Sequence, residues 1–183
     1  MSDDRLLEML RQRSFRRGTF TLASGRESDF FIDCKPTVLS AEGHVHVGRA
    51  LLGAIRALPG APVAVAGVVL GGCSLASAVA MTSQGEPPPL DAVYVRKQTK
   101  DHGSRNRIEG AAHLGEGAPL VVVEDTVTTG GSTLRAVEEL RRAGFRVTGV
   151  AAVVDRLEGA AEAFEEAKLP FRPLYTRTDF IPA

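Results

Sequence analysis

The sequence carries no surplus of charge. Its 22 lysines and arginines are matched by 22 aspartates and glutamates. Nothing global draws nucleic acid or an anionic membrane to it, so any anion site must be a local concentration of charge. Cysteine is scarce as well, with Cys34 and Cys73 alone and without paired spacing. That excludes a disulfide scaffold and suggests reduced thiols in a cytoplasmic protein. Long apolar runs are missing too, so no stretch approaches the roughly 20 residues of a membrane span. Residues 1–10 are charged and broken, unlike a signal peptide. His44 and His46 stand two apart and point to different faces of a helix, so they make no two-ligand metal pair. There is no internal repeat. With 44% hydrophobic and 24% charged content, the 183 residues fit a single domain with a full core. A small N-terminal hood of about residues 1–40 and a core of about 41–183 are expected.

The chain is organised around residues 120–133, LVVVEDTVTTGGST. Four apolar residues, Leu120 to Val123, suit a buried strand of a parallel sheet. Glu124 and Asp125 follow where the strand should emerge. Thr126, Val127, Thr128, Thr129, Gly130, Gly131, Ser132 and Thr133 are then nearly all small, hydroxylated or glycine. Helical spacing resumes over residues 134–143. Glycines let backbone N–H groups turn toward an anion, the hydroxyls add donors, and the helix N-terminus behind them favours negative charge. The acidic pair repels bare phosphate but suits sugar hydroxyls or hydrated Mg²⁺. Phosphate and polyol contacts side by side suggest a phosphorylated ribose. The plain alternative is a generic strand-to-helix turn with an acidic cap.

Around this stretch, strands and helices alternate. A first helix is expected from Asp3 to about Arg13, capped by Ser2 and stopped at residues 16–18. A hairpin of residues 19–22 and 29–34 follows. Phe30 and Phe31 are adjacent and must face opposite sides, so at least one is core, and the other stacks on a planar ligand or simply packs. A long amphipathic helix is expected over residues 41–58. The apolar strand 63–69 runs into a second glycine loop, residues 70–74, ahead of a helix at 75–83. A strand at 91–95 opens onto RKQTKDHGSR, four cations and a histidine with no apolar anchor. A short return at 108–110, a strand at 146–154, a helix at 159–169 and an edge strand at 170–175 complete the pattern. Asp155 and Arg156 close the 146–154 strand at the same edge as Glu124, either as helix cap and surface charge or as part of a site. The alternation predicts an α/β fold, a doubly wound and mostly parallel sheet.

The 120–133 string resembles the PRPP (phosphoribosyl pyrophosphate) motif of type I phosphoribosyltransferases. GTFTLASGRESDFFIDCK at residues 18–35 resembles the N-terminal signature of orotate phosphoribosyltransferases. YVRKQTKDHG at residues 94–103 is similar to the catalytic loop of the same family. The resemblance runs over nearly the whole chain and implies a type I phosphoribosyltransferase fold. It also implies transfer of the phosphoribosyl group of PRPP to orotate, giving orotidine 5′-monophosphate and pyrophosphate in pyrimidine synthesis. It assigns Glu124 and Asp125 to the ribose, Thr128 to Ser132 to the 5′-phosphate, Thr126 and Val127 to the same PRPP site, and Arg96, Lys97, Lys100 and His102 to pyrophosphate. Lys100 is the main catalytic residue. Thr128, Arg156 and one of Phe30 or Phe31 fall to orotate. Mg²⁺ held mainly through PRPP, and a cytoplasmic homodimer whose loops close over each other's sites, come with the resemblance, and no direct protein–metal ligand does. Two departures matter: many members carry lysine where this chain has Ala23, and some where it has Gly71. Another cation must then cover the pyrophosphate, or its binding is weaker. A purine phosphoribosyltransferase or a non-catalytic PRPP-binding regulator are the alternatives.

Overall fold

A computed structural model describes residues 4–21, 27–96 and 107–181. The chain opens with helix α1 (Arg5–Arg13) and a hairpin of β1 (Phe15–Thr21) and β2 (Glu27–Ile32). Short α2 (Lys35–Val38) leads into α3 (Ala41–Arg56). Then come β3 (Ala64–Val68), α4 (Gly71–Gln84), β4 (Asp91–Val95), β5 (Ile108–Glu109), β6 (Pro119–Val127) and α5 (Gly131–Arg142). The chain closes with β7 (Arg146–Asp155), α6 (Ala160–Glu166), β8 (Phe171–Thr176) and α7 (Arg177–Phe180). The six-stranded sheet has order β5-β4-β3-β6-β7-β8, parallel except for β5 against β4. The doubly wound fold expected from the sequence is therefore present.

Both faces of the sheet are buried, which is why its strands read as unbroken apolar runs. Side-chain alternation sorts them. Val65, Val121, Val123, Ala151 and Val153 face α1, α3 and α4, packing on Leu10, Leu51, Ile55, Leu75 and Val79. Their neighbours Ala64, Ala66, Leu120, Val122 and Val150 face α5 and α6, packing on Val137, Leu140 and Phe164. From β3 the chain winds one way to β4, and from β6 the other way to β7. The switch point lies between β3 and β6, where open α/β sheets place ligands beyond the strand ends.

Several elements differ from the sequence pattern. β6 does not stop at Val123. Its pairing with β3 ends there, but Glu124, Thr126 and Val127 continue against Ala152, Val154 and Asp155 of β7. Backbone pairing, rather than apolarity, sets where this strand ends. Helix α4 begins at Gly71, so the second glycine loop is mostly its first turn. β1 starts at Phe15 and runs through Arg16 and Arg17, where a helix stop was expected. Phe15 stacks on Phe180 at 5.6 Å, and this burial outweighs the local charge. The α1 cap is Asp4, whose carboxylate accepts from Leu7 N at 3.2 Å; Ser2 lies outside the described residues. Nor is α1 only part of a hood, since Leu6 and Leu10 belong to the core.

Candidate functional site

The extra length of β6 carries Glu124 and Asp125 past the end of β3, into the switch-point crevice. Glu124 is buried and Asp125 half-buried. The Asp125 carboxylate accepts from Thr126 N at 2.8 Å, which fixes its rotamer. The strand then breaks at exposed Thr128 and Thr129. Gly130 takes a left-handed backbone, φ 75°, as the N-cap of α5. A side chain there would meet the Phe164 ring at 3.0 Å. Because Gly130 has no side chain to cap with, the first-turn N–H groups of α5 are not occupied by a side-chain cap. A helix of 12 residues with such an N-terminus offers donors and a favourable dipole to an anion. Val127 does not share in this. Its side chain is buried in the core and its carbonyl accepts from Arg156 N at 3.0 Å. Of the residues assigned to PRPP, Val127 therefore has only backbone to offer.

A cavity of about 290 Å³ lies at this strand end, lined by Lys35, Leu70, Gly71, Glu124, Asp125 and Ser132 among others. Gly71 packs against Asp125: a Cβ on it would lie 2.3 Å from Asp125 Oδ2. A side chain at position 71 requires the Asp125 carboxylate to shift. Cys34 ties the hairpin's end to the same strand, its thiol 3.7 Å from the Asp125 carbonyl oxygen and 3.6 Å from Thr126 Oγ1. Burial first, then the Asp125 charge, pushes this thiol up to about 12. Burial and then Glu124 raise Cys73 as well. Both cysteines are free and protonated at neutral pH, so neither is an activated nucleophile.

The second part of the site is built by β2 and the end of β7. Arg156 is 4% exposed, so it is no surface arginine. Its guanidinium lies 4.1 Å from the Phe30 ring centroid. Nε donates to Glu158 Oε1 at 2.7 Å and Nη2 to Ser28 Oγ at 3.1 Å. Phe30 is buried and Phe31 is 40% exposed. The opposite facing of the two rings follows the strand alternation. Asp155 is buried and accepts from Leu157 N at 2.9 Å. Ser28, Glu158 and Lys35 went unassigned in the sequence. Lys35 carried the same signal as Arg156, a charge just past a strand.

Arg96 closes β4 and donates its backbone N–H to Arg107 O at 2.8 Å. It lines a different cavity of about 400 Å³ with Arg107, Arg135 and Glu139, and this shares only Ser132 with the acidic-pair cavity among the described residues. Lys97, Lys100, His102 and Ala23 lie outside the described residues.

A doubly wound sheet with an acidic strand end, a glycine-capped helix and a hairpin over the switch point defines a phosphoribosyltransferase. The family of the phosphoribosyl transferase domain matches residues 40–168. An orotate phosphoribosyltransferase of Sorangium cellulosum is 59% identical over 98% of this chain and 93% of its own. One of a Bradyrhizobium strain is 45% identical over 97% and 96%. The crystal structure of Mycobacterium tuberculosis orotate phosphoribosyltransferase in complex with PRPP superposes with a TM-score of 0.79. It is 34% identical and covers 97% of each chain. The chain belongs to the orotate phosphoribosyltransferase family. Membership makes it a pentosyltransferase of pyrimidine biosynthesis.

Proposed function

We propose that this chain joins orotate to the phosphoribosyl group of PRPP through the crevice between β3 and β6, with the residue roles that follow. The observation that carries the reading is β6 itself, an acidic pair running straight into an uncapped helix N-terminus. Glu124 and Asp125 accept hydrogen bonds from the ribose hydroxyls. Thr128, Thr129, Gly130, Gly131 and Ser132 hold the 5′-phosphate on the α5 N-terminus. The anomeric carbon gains positive character as pyrophosphate leaves, and a nitrogen of the base attacks it. The protein needs no nucleophile of its own. It aligns two reactants and stabilises the leaving charge.

Arg156 forks onto the orotate carboxylate, held in place by Glu158, Ser28 and Phe30. Thr128 and one of Phe30 or Phe31 contact the orotate ring. Lys100, with Lys97, Arg96 and His102, covers the pyrophosphate from the partner chain of a homodimer. Glu124 and Asp125 are hard oxygen donors that suit Mg²⁺, yet two carboxylates fall short of an octahedral shell, so PRPP supplies most of it. When bound, Mg²⁺ neutralises pyrophosphate oxygens. No described helix is long and apolar enough to cross a membrane, and the substrates are those of cytoplasmic nucleotide synthesis.

A spectrophotometric assay with orotate, PRPP and Mg²⁺ tests the reading. Orotate should be consumed with release of pyrophosphate, and activity should vanish with EDTA. Adenine, hypoxanthine and guanine should not replace orotate. A chain that binds PRPP but turns over none of these bases would be a regulator instead.

A further inference from the structure

We propose that Lys35 is a pyrophosphate-binding cation of this site, taking the place of the lysines absent at positions 23 and 71. The inference rests on the reading of the crevice as a PRPP site.

Three observations carry it. First, among the described residues lining the acidic-pair cavity, Lys35 is the one cation, against the carboxylates of Glu124 and Asp125. A ribose held by that pair places its pyrophosphate beside two negative charges, and the approach is costly unless a positive group lines the same space. Second, position 71 is glycine and supplies no cation, and a side chain there would have to displace the Asp125 carboxylate. A Cβ there would lie 2.3 Å from Asp125 Oδ2. Third, the local structure fixes where Lys35 starts. It is the first residue of α2. Cys34 before it is anchored on the Asp125 carbonyl oxygen and Thr126 Oγ1. Its backbone N–H donates to Asp33 Oδ1 at 3.1 Å, and its Nζ sits 2.6 Å from the same oxygen.

An ammonium has three donors. One is taken by Asp33, and the rest remain for an anion entering the cavity. Asp33 first, and Asp125 at longer range, hold the ammonium in its charged form. The Lys35 side chain is 46% exposed, so the group reaches the cavity mouth without being sealed in. The competing account is a solvated lysine paired locally with Asp33, a contact of little energetic weight. The two accounts differ in what happens when PRPP arrives.

Calorimetric titration separates them. Wild type, Lys35→Gln and Lys35→Arg are each titrated with Mg²⁺–PRPP, Mg²⁺–pyrophosphate and ribose 5-phosphate, and orotate KM and melting temperature are recorded. Loss of one charged partner should weaken PRPP and pyrophosphate roughly tenfold in Lys35→Gln. Ribose 5-phosphate, which lacks the pyrophosphate, should bind as before. Orotate KM and melting temperature should hold, and Lys35→Arg should recover most of the affinity. Unchanged PRPP affinity in Lys35→Gln overturns the proposal. So does equal weakening of PRPP and ribose 5-phosphate, or a drop in melting temperature that accounts for the loss. A wild type that binds PRPP but never consumes orotate would refute the base assignment while leaving the binding comparison intact. A wild type that binds no PRPP refutes both.

Discussion

Under the proposed reading, Arg156 is the residue that turns the fold into a specificity. Its guanidinium is held on three sides, by Glu158, Ser28 and the Phe30 ring. Orotate differs from uracil by a carboxylate, and a preorganised fork binds it without reordering the side chain. Removing one partner of a buried charge contact costs roughly 2–5 kcal/mol. Arg156→Ala should therefore raise orotate KM at least about thirtyfold while PRPP KM changes little. Arg156→Lys should recover only part, because an ammonium cannot offer the two parallel donors. Unchanged orotate kinetics in steady-state assays would remove the assignment.

Its neighbour Asp155 makes a separate prediction about pH. Burial raises this carboxyl above its usual range, partly offset by the Leu157 N–H. A raised acid binds its proton more readily folded than unfolded. Its stabilising contribution is complete below the unfolded value, near pH 4, and is lost as pH rises through the folded value. At neutral pH the charge is a net cost. Asp155→Asn keeps an oxygen for Leu157 and removes that cost. Its melting temperature relative to wild type should rise between pH 4 and pH 7. A constant difference across that range would show that Asp155 is not linked to stability in this way.

At the scale of elements, glycine separates two kinds of position. Gly130 starts α5 with φ 75° and faces Phe164 at 3.0 Å. An alanine there meets both a left-handed backbone, worth about 1–2 kcal/mol, and a ring that must move. Gly130→Ala should lose at least that much in urea unfolding and should weaken PRPP binding. Gly53 lies inside α3 with nothing within 4 Å of its missing Cβ. Gly53→Ala should gain about 0.5–1 kcal/mol with activity untouched. If both variants moved stability the same way, backbone conformation would not be what distinguishes them.

The elements also show what the sequence could reveal. Alternating apolar runs and helical stripes placed β3, β4, β6 and β7 because burial on both faces leaves a direct trace in residue type. The acidic pair and glycine turn were legible because carboxylates, hydroxyls and glycines in that order are residue types that local sequence displays directly. The continuation of β6 to Val127 was not legible, since ladder hydrogen bonds to β7 leave no compositional mark. The start of β1 at Phe15 depends on a ring at Phe180, far along the chain. Cys34 owes its anchoring to a strand 91 residues away, which no local pattern encodes.

At the scale of the whole molecule, one question is where Arg96 and the segment after it act. Arg96 lines a cavity with Arg107, Arg135 and Glu139 that meets the acidic-pair cavity at Ser132. Under the proposed homodimer, Lys100 of one chain completes the site whose Asp125 belongs to the other. Lys100→Ala and Asp125→Ala should each be nearly inactive alone. In a mixed dimer one site carries both lesions, and the other joins an intact Lys100 to an intact Asp125. Random association makes about half the dimers mixed, and one of the two sites in each is whole, so activity should return to about a quarter of wild type. If each chain used its own Lys100, every site would hold one lesion and nothing would return. Subunit exchange is required, so the two variants must be co-expressed or refolded together, with dimer formation checked by light scattering. Absence of recovery in a verified mixed dimer would retire the shared site while leaving the chemistry of Lys100 in place.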